Sequence, residues 1–290
     1  PAAAGKDDET IAFTDDLGRQ VVVPARPRRT AALIGSFASV WQLAGGELAA
    51  AAHDAFTDFD LGLADTVTDL GKTSAISLEL LLASDPDFIL ASCNTKLDMD
   101  LLGTLESLDI PTAYFAVSSF EEYLHMLDIC TRITGRPDLY EQNGGSVQAQ
   151  VDAAVARADG SSPAVLYLRA SASGVRAKGG SGNVLGEMLA ALGCVNIADT
   201  DGSLLEALSL ERILEADPAY IFVVLQGSDT AAIQKSLADA LTGHPAWGSL
   251  TAVREGRLYF MDARLFNLKP NNRWGEAYAQ LADILYPAAA

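Results

Sequence analysis

The sequence predicts an α/β fold of two lobes, each a central parallel sheet covered by helices, joined by one long connecting helix with a ligand cleft between them. Three observations predict it. Strand-like apolar runs alternate with helical patterns as far as residue 134, the rhythm of a parallel sheet with helices on its faces. The same rhythm restarts after residue 160. Finally, Ser77-Leu78-Glu79-Leu80-Leu81-Leu82-Ala83-Ser84-Asp85-Pro86-Asp87-Phe88-Ile89 aligns without a gap to Ser209-Leu210-Glu211-Arg212-Ile213-Leu214-Glu215-Ala216-Asp217-Pro218-Ala219-Tyr220-Ile221, with seven of thirteen positions identical. Local chemistry accounts for part of the match, since Ser caps helix starts, Asp-Pro stops helices and Glu suits a first turn. The shared order of all of them points to a duplicated unit.

The elements follow in order. Ile11 and Phe13 alternate with polar residues, Asp15-Asp16-Leu17-Gly18 supplies turn chemistry, and Val21-Val22-Val23 returns as a strand stopped by Pro24. That makes a β-hairpin over 10–24. Strands are expected over 30–34, 48–52, 88–91 and 112–115, and helices over 38–44, 78–83, 99–108 and 120–134. In the second half, strands fall at 164–168, 220–225 and 257–261, and helices at 184–192, 210–216, 231–241 and 274–285. From Val147 onward the connector has helical spacing, while Gly144-Gly145 breaks its start. The expected organisation is a disordered tail at 1–9, an N-terminal lobe at 10–136, the connecting helix at 137–160 and a C-terminal lobe at 161–290. Asn271-Asn272 is expected to cap the last helix, with Trp274 as its first packed anchor.

Composition narrows the function classes. A chain of 290 residues, 49% hydrophobic and 20% charged, is of ordinary globular type. Its 20 Lys and Arg against 38 Asp and Glu give a net charge of −18, a field that repels phosphate backbones and excludes nucleic acid as a partner. The apolar run at 220–225 is far too short to span a bilayer. Cys93, Cys130 and Cys194 are too few and too scattered for a disulfide scaffold or zinc motif. The polar start Pro1-Ala2-Ala3-Ala4-Gly5-Lys6-Asp7-Asp8 reads as what remains after a signal segment, absent from this chain, is trimmed, or as a boundary chosen for expression.

Several tempting motifs fail. Gly71-Lys72-Thr73 lacks the upstream Gly of a phosphate loop, because Thr66 stands there. Gly180-Ser181-Gly182 is spaced one residue too long for a dinucleotide fingerprint and reads as a mobile loop ahead of a helix. His53, His125 and His244 are far apart, so no metal site is expected, and surface or capping roles are assigned to them. Ligand-binding candidates come from topology, since ligands of open parallel sheets sit beyond the carboxyl ends of the strands. That rule selects Ser36, Phe37, His53, Phe56, Asn94 and Ser118 from the first lobe. From the second it selects Tyr167, Arg169, Arg176, Lys178, Gln226, Arg264 and Phe266. The basic residues suit an anionic chelate if they line the cleft and are solvated loop charges if they do not. Phe37, Phe56 and Phe266 suit either ligand stacking or core packing.

These residues resemble a known family. Thr10-Ile11-Ala12-Phe13-Thr14-Asp15-Asp16-Leu17-Gly18-Arg19 with Val21-Val22-Val23-Pro24 looks like the start of the substrate-binding proteins of ABC importers for iron–siderophores, haem and cobalamin. Ser77-Leu78-Glu79 with Asp85-Pro86-Asp87 resembles that family's first-lobe motif, Gly186-Glu187-Met188-Leu189 with Gly193 and Asn196-Ile197-Ala198 its second-lobe segment, and Ser209-Leu210-Glu211 the paired motif. The resemblance implies two Rossmann-like lobes bridged by a single helix, a monomer without catalysis or a resident cofactor, and a ferric siderophore, haem or corrinoid as ligand. It also implies an ABC permease dimer with ATPase subunits as partner, Glu79 and Glu211 meeting permease arginines, and residence in the periplasm or at the outer face of the cell membrane as a lipoprotein. The competing class is a two-lobed enzyme, such as a glycosyltransferase or metallocluster-type oxidoreductase. The first needs a nucleotide cradle and an acid–base pair that the sequence does not display, and the second needs more cysteine ligands.

Overall fold

Asp15 organises the start of the chain. Strands β1 (Thr10–Thr14) and β2 (Gln20–Pro24) pair antiparallel, with Ile11 opposite Val23 and Phe13 opposite Val21. At the turn the Asp15 carboxylate accepts hydrogen bonds from the N–H groups of Leu17 and Arg19, while Gly18 takes φ 77°, open to glycine at no steric cost. The structure, a computed structural model, describes residues 9–287, so the tail expected at 1–9 lies, apart from Glu9, outside the described residues.

The chain divides into two compact units, Pro1–Val147 and Gln148–Ala290. The first is built on β3 (Thr30–Ala32), β4 (Leu48–Ala51), β5 (Thr68–Asp69), β6 (Phe88–Ser92) and β7 (Thr112–Phe115). All neighbours are parallel, in the order β5-β4-β3-β6-β7. The central strands β3 and β6 are buried on both faces, as their unbroken apolar runs require. Leu33, Leu81, Ile89, Leu105 and Tyr114 belong to one core cluster of this unit. Helices Gly35–Leu43, Leu78–Ala83, Lys96–Ser107 and Phe120–Thr134 supply the crossovers. The last begins with a capping box between Ser119 and Glu122 and ends at Gly135, φ 70°.

The hairpin turn closes the free edge of this sheet. β7 has a sheet partner only on its β6 side. On its other side the Asp15 carboxylate accepts from the Tyr114 N–H at 3.2 Å and the Asp16 carboxylate from the Ala116 N–H at 2.6 Å. The Asp16 N–H donates to the Tyr114 carbonyl at 3.0 Å, and the Arg19 guanidinium donates to the Thr112 carbonyl at 2.9 Å. Unpaired edge amides are thus satisfied without another strand.

The connector stays helical where the glycines were expected to break it. Pro137–Tyr140 runs into a π-turn at Glu141–Gly145 and on through Ser146–Val155. The widened turn is pinned to the first unit: the Tyr123 hydroxyl donates to the Asn143 carbonyl at 2.8 Å, and the Asn143 side chain donates to the Leu43 carbonyl at 2.9 Å. The helix ends at Val155, short of residue 160, and Arg157 turns away to Asp283 and the Tyr286 carbonyl.

The second unit is built on β8 (Ala164–Ser171), β9 (Gly174–Lys178), β10 (Val195–Asn196), β11 (Tyr220–Gln226) and β12 (Leu258–Met261). The path β10-β8-β11-β12 is parallel. β9 is an exception, pairing antiparallel with the far end of β8. This corrects the loop expected after residue 168. Ser171 faces Gly174 across the two-residue turn Ala172-Ser173, and Gly174 at φ 146° makes that turn possible. Helices Val184–Ala191, Leu210–Ala216, Thr230–Leu237 and Trp274–Leu285 surround the sheet.

Three smaller expectations are corrected. The helix expected over 231–241 turns π-helical at Ala238–Thr242. Neither Asn271 nor Asn272 caps the last helix by its side chain: a 3-10 turn at Asn271–Arg273 leads in, with Asn271 buried at φ 56°. Trp274 does anchor that helix, fully buried against Tyr278. The loop Gly180-Ser181-Gly182 is tied down, with Gly180 N–H donating to Asp199, Gly182 N–H to Glu187, and the Asn183 amide to two loop carbonyls. The repeat persists in its details: Ser77 and Ser209 each cap their helix, and Asp85 and Asp217 each take a left-handed conformation, φ 47° and 40°.

Candidate functional site

In the first unit the candidates sit just past the carboxyl ends of β3, β4, β6 and β7. The Asp54 carboxylate accepts the Gly35 N–H at 2.9 Å, tying the turn His53–Ala55 to the helix start that carries Ser36 and Phe37. Burial raises the Asp54 carboxyl, partly offset by the N–H groups it accepts. A Cβ at Gly35 would lie 2.6 Å from the Ala55 nitrogen, so only glycine allows this approach. Ser36 is buried. Phe37 is fully buried and edge-on to Phe115 at 6.2 Å, inside the unit's packing, while Phe56 is half-buried.

His53 Nδ1 lies 2.6 Å from Asp69 Oδ2 at the surface. Burial alone would raise the Asp69 carboxyl, but bonds from His53 and the Gly71 N–H outweigh it and hold it below its ordinary value. Asn94 and Ser118, placed on different loops by the sequence, come together: the Asn94 amide donates to the Ser118 hydroxyl at 3.4 Å. Asn94 also lines a groove of about 440 Å³ with Thr73, Ser74, Thr95, Lys96 and Asp100. Sequence reasoning missed Thr73, Ser74 and Lys96. Only Thr73 lay in a motif weighed, Gly71-Lys72-Thr73, set aside as a failed phosphate loop.

In the second unit Tyr167, Arg169, Arg176 and Lys178 converge. Across β8 and β9, Tyr167 is opposite Lys178 and Arg169 opposite Arg176. The Arg169 guanidinium reaches the Tyr167 hydroxyl at 3.4 Å. Burial raises the Tyr167 phenol against the pull of Arg169. Gln226 is exposed at the last position of β11. The Arg264 backbone N–H donates to Asp262 and its guanidinium lies 3.4 Å from the Lys269 carbonyl, and Phe266 is buried in the same short helix.

Glu79 and Glu211 occupy equivalent first-turn positions after their Ser caps. Both are exposed, and neither carboxylate forms an ion pair or hydrogen bond among the described residues. Among those residues no three His, Cys, Asp or Glu side chains gather as a metal-ligating set, the three cysteines are unpaired, and no helix is long and apolar enough to cross a membrane.

A sequence model of the family described as "Periplasmic binding protein" matches residues 31–265. No curated protein sequence matches the chain significantly. Among solved structures, the chain is similar to Staphylococcus aureus SirA complexed with staphyloferrin B, at 21% identity and TM-score 0.74 over 96% of this chain and 97% of that one. It is also similar to the periplasmic haem-binding protein RhuT from Roseiflexus sp. RS-1, at 20% identity and TM-score 0.72 over 91% and 99% of the two chains. A third likeness is to the periplasmic vitamin B12 binding protein BtuF of Vibrio cholerae, at 18% identity and TM-score 0.71 over 90% and 97%. With the family model spanning most of the sequence, from β3 to the segment after β12, the chain belongs to the periplasmic binding protein family.

Proposed function

We propose that the protein is the extracytoplasmic substrate-binding component of an ABC importer, capturing a ferric siderophore, haem or corrinoid-type ligand and handing it to a permease with its ATPase subunits. The observation that carries this reading is the family match over residues 31–265 on a chain with two parallel-sheet units. Polar side chains gather beyond the strand ends in the first unit, where ligands of such sheets bind, and basic ones share one face of β8 and β9 in the second. Function on this reading is capture and release, by a monomer, with no covalent step. A lipid anchor at the outer face of the membrane, or free residence in the periplasm, belongs to the same proposal. The direct test is a thermal-shift screen of ferric siderophores, haemin and corrinoids. A ligand at a hundredfold above its Kd should add about 2.7 kcal/mol to stability. No shift from any of the three classes would overturn the reading.

The delivery half has its own test. Glu79 and Glu211 stand exposed and uncompensated at equivalent helix starts, as two anchoring points on a permease dimer would. Glu79→Ala or Glu211→Ala should leave ligand affinity intact and weaken permease association by about 2–5 kcal/mol if the charge pairs become buried. The double variant should lose more, because two-point attachment is gone. Wild-type uptake by both single variants in reconstituted vesicles would reduce the glutamates to helix-start residues.

A further inference from the structure

Three cations crowd the edge of the second unit's sheet, and among the described residues none of them is in an ion pair. Side chains alternate along a strand, and directly opposite residues of an antiparallel pair share a face. The register therefore places Tyr167, Arg169, Arg176 and Lys178 on one face of β8 and β9. Like charges directly opposite one another destabilise a sheet. Several cations elsewhere do form ion pairs: Arg19 with Asp15 and Glu106, Arg136 with Asp138, Arg157 with Asp283 and Arg273 with Glu276. Among the described residues, no carboxylate forms an ion pair with Arg169, Arg176 or Lys178, although acids outnumber bases 38 to 20 in the sequence. Among the described residues the buried Arg169 Nε has no acceptor, and the side-chain bond of that guanidinium is the long contact to Tyr167. Burial, then Arg169, then Arg176 depress the Lys178 ammonium, so the group is ill-matched to its surroundings as they stand.

We infer that this face is an anion site and that the ligand is a polyanion, a chelate presenting at least two carboxylate or phenolate oxygens to Arg169, Arg176 and Lys178. This rests on the substrate-binding reading above and narrows it, because a corrinoid of zero net charge, with a single phosphodiester, does not offset three cations. The two guanidiniums give planar forks that match carboxylate geometry, and the ammonium gives a point charge beside them. A single negative charge would leave most of the repulsion standing. The buried Arg169 Nε supplies a donor whose desolvation only a bound acceptor offsets.

The test separates the two readings. Wild type and the Arg176→Gln, Lys178→Gln and double variants are titrated calorimetrically with citrate, ferric citrate, a ferric tris-catecholate and haemin, and with cyanocobalamin and ferrioxamine as ligands without net negative charge. At least one polyanion should bind wild type and lose about tenfold to a hundredfold in affinity with each substitution. Its salt dependence should flatten in the double variant. Independently of any ligand, the variants without ligand should melt no lower than wild type, and added NaCl should raise the wild-type Tm more than the double variant's. Binding of cyanocobalamin or ferrioxamine alone, or a polyanion affinity untouched by the double substitution, would overturn the anion site and leave the substrate-binding reading standing. If no chelate binds but citrate still shifts wild type and not the double variant, the chelate reading fails and the anion site holds. Variants that melt lower than wild type, with an unchanged salt response and no probe bound, would remove both.

Discussion

The Asp15 carboxylate holds three parts of the first unit at once: the turn amides of Leu17 and Arg19, the Arg19 guanidinium and the Tyr114 amide of the edge strand. Its side chain is completely buried. Removing one partner of a buried charged cluster is costly, so Asp15→Ala should lower unfolding free energy by about 3–5 kcal/mol in urea titrations. A loss near zero would show that the turn holds without it. Asp69 behaves differently, because it is exposed and its effect is one of pH. Its carboxyl is depressed below the ordinary 3.8 by the His53 bond, with burial opposing. A depressed carboxyl contributes stability that is present above its unfolded value and lost as pH falls through the folded one. The Tm gap between wild type and Asp69→Asn should therefore be widest near neutrality and close below about pH 3.8. A gap that persists unchanged into strong acid would remove the pairing as its cause.

Each helix of the repeat starts on a serine whose hydroxyl accepts from the third residue on, Leu80 in one copy and Arg212 in the other. Ser77→Ala and Ser209→Ala should each cost about 1 kcal/mol, and about equally, by chemical denaturation. Unequal losses would mean that the copies share a motif and not a role. Helices with a strong apolar stripe were legible to the residue, as at Phe120–Thr134, which is also capped, and at Trp274–Leu285, which is not. β9 was not. Gly174-Val175-Arg176-Ala177-Lys178 puts charge at alternate positions on an edge, and its strand state comes from pairing with β8, which no local pattern announces. The connector misled for a related reason: Gly144 and Gly145 weaken a helix by propensity, yet Tyr123 and Asn143 hold a π-turn there through contacts distant in sequence. At the site, strand ends could be read and partners could not. Topology selected Asn94 and Ser118 separately, and only the fold shows them bonded, just as it shows Phe37 filling the space beside Phe115.

At the scale of the molecule the net charge is −18, so on the proposed reading the basic face of β8 and β9 must attract an anionic ligand at short range against a repulsive far field. Salt should then speed the approach of a polyanion even as it weakens the complex, a pair of opposed effects that stopped-flow measurement would resolve. The seal on the sheet edge has a consequence in time. Asp15 and Asp16 leave the ribosome early, but their partners Tyr114 and Ala116 follow 99 and 100 residues later. Closing so long a loop is entropically expensive, and contacts of that range form late in folding. Until then β7 emerges with open amides. Asp16→Ala should consequently hasten unfolding and leave the refolding rate nearly unchanged, the kinetic mark of an interaction made after the barrier. The hairpin is thus synthesised long before the strand edge that it seals.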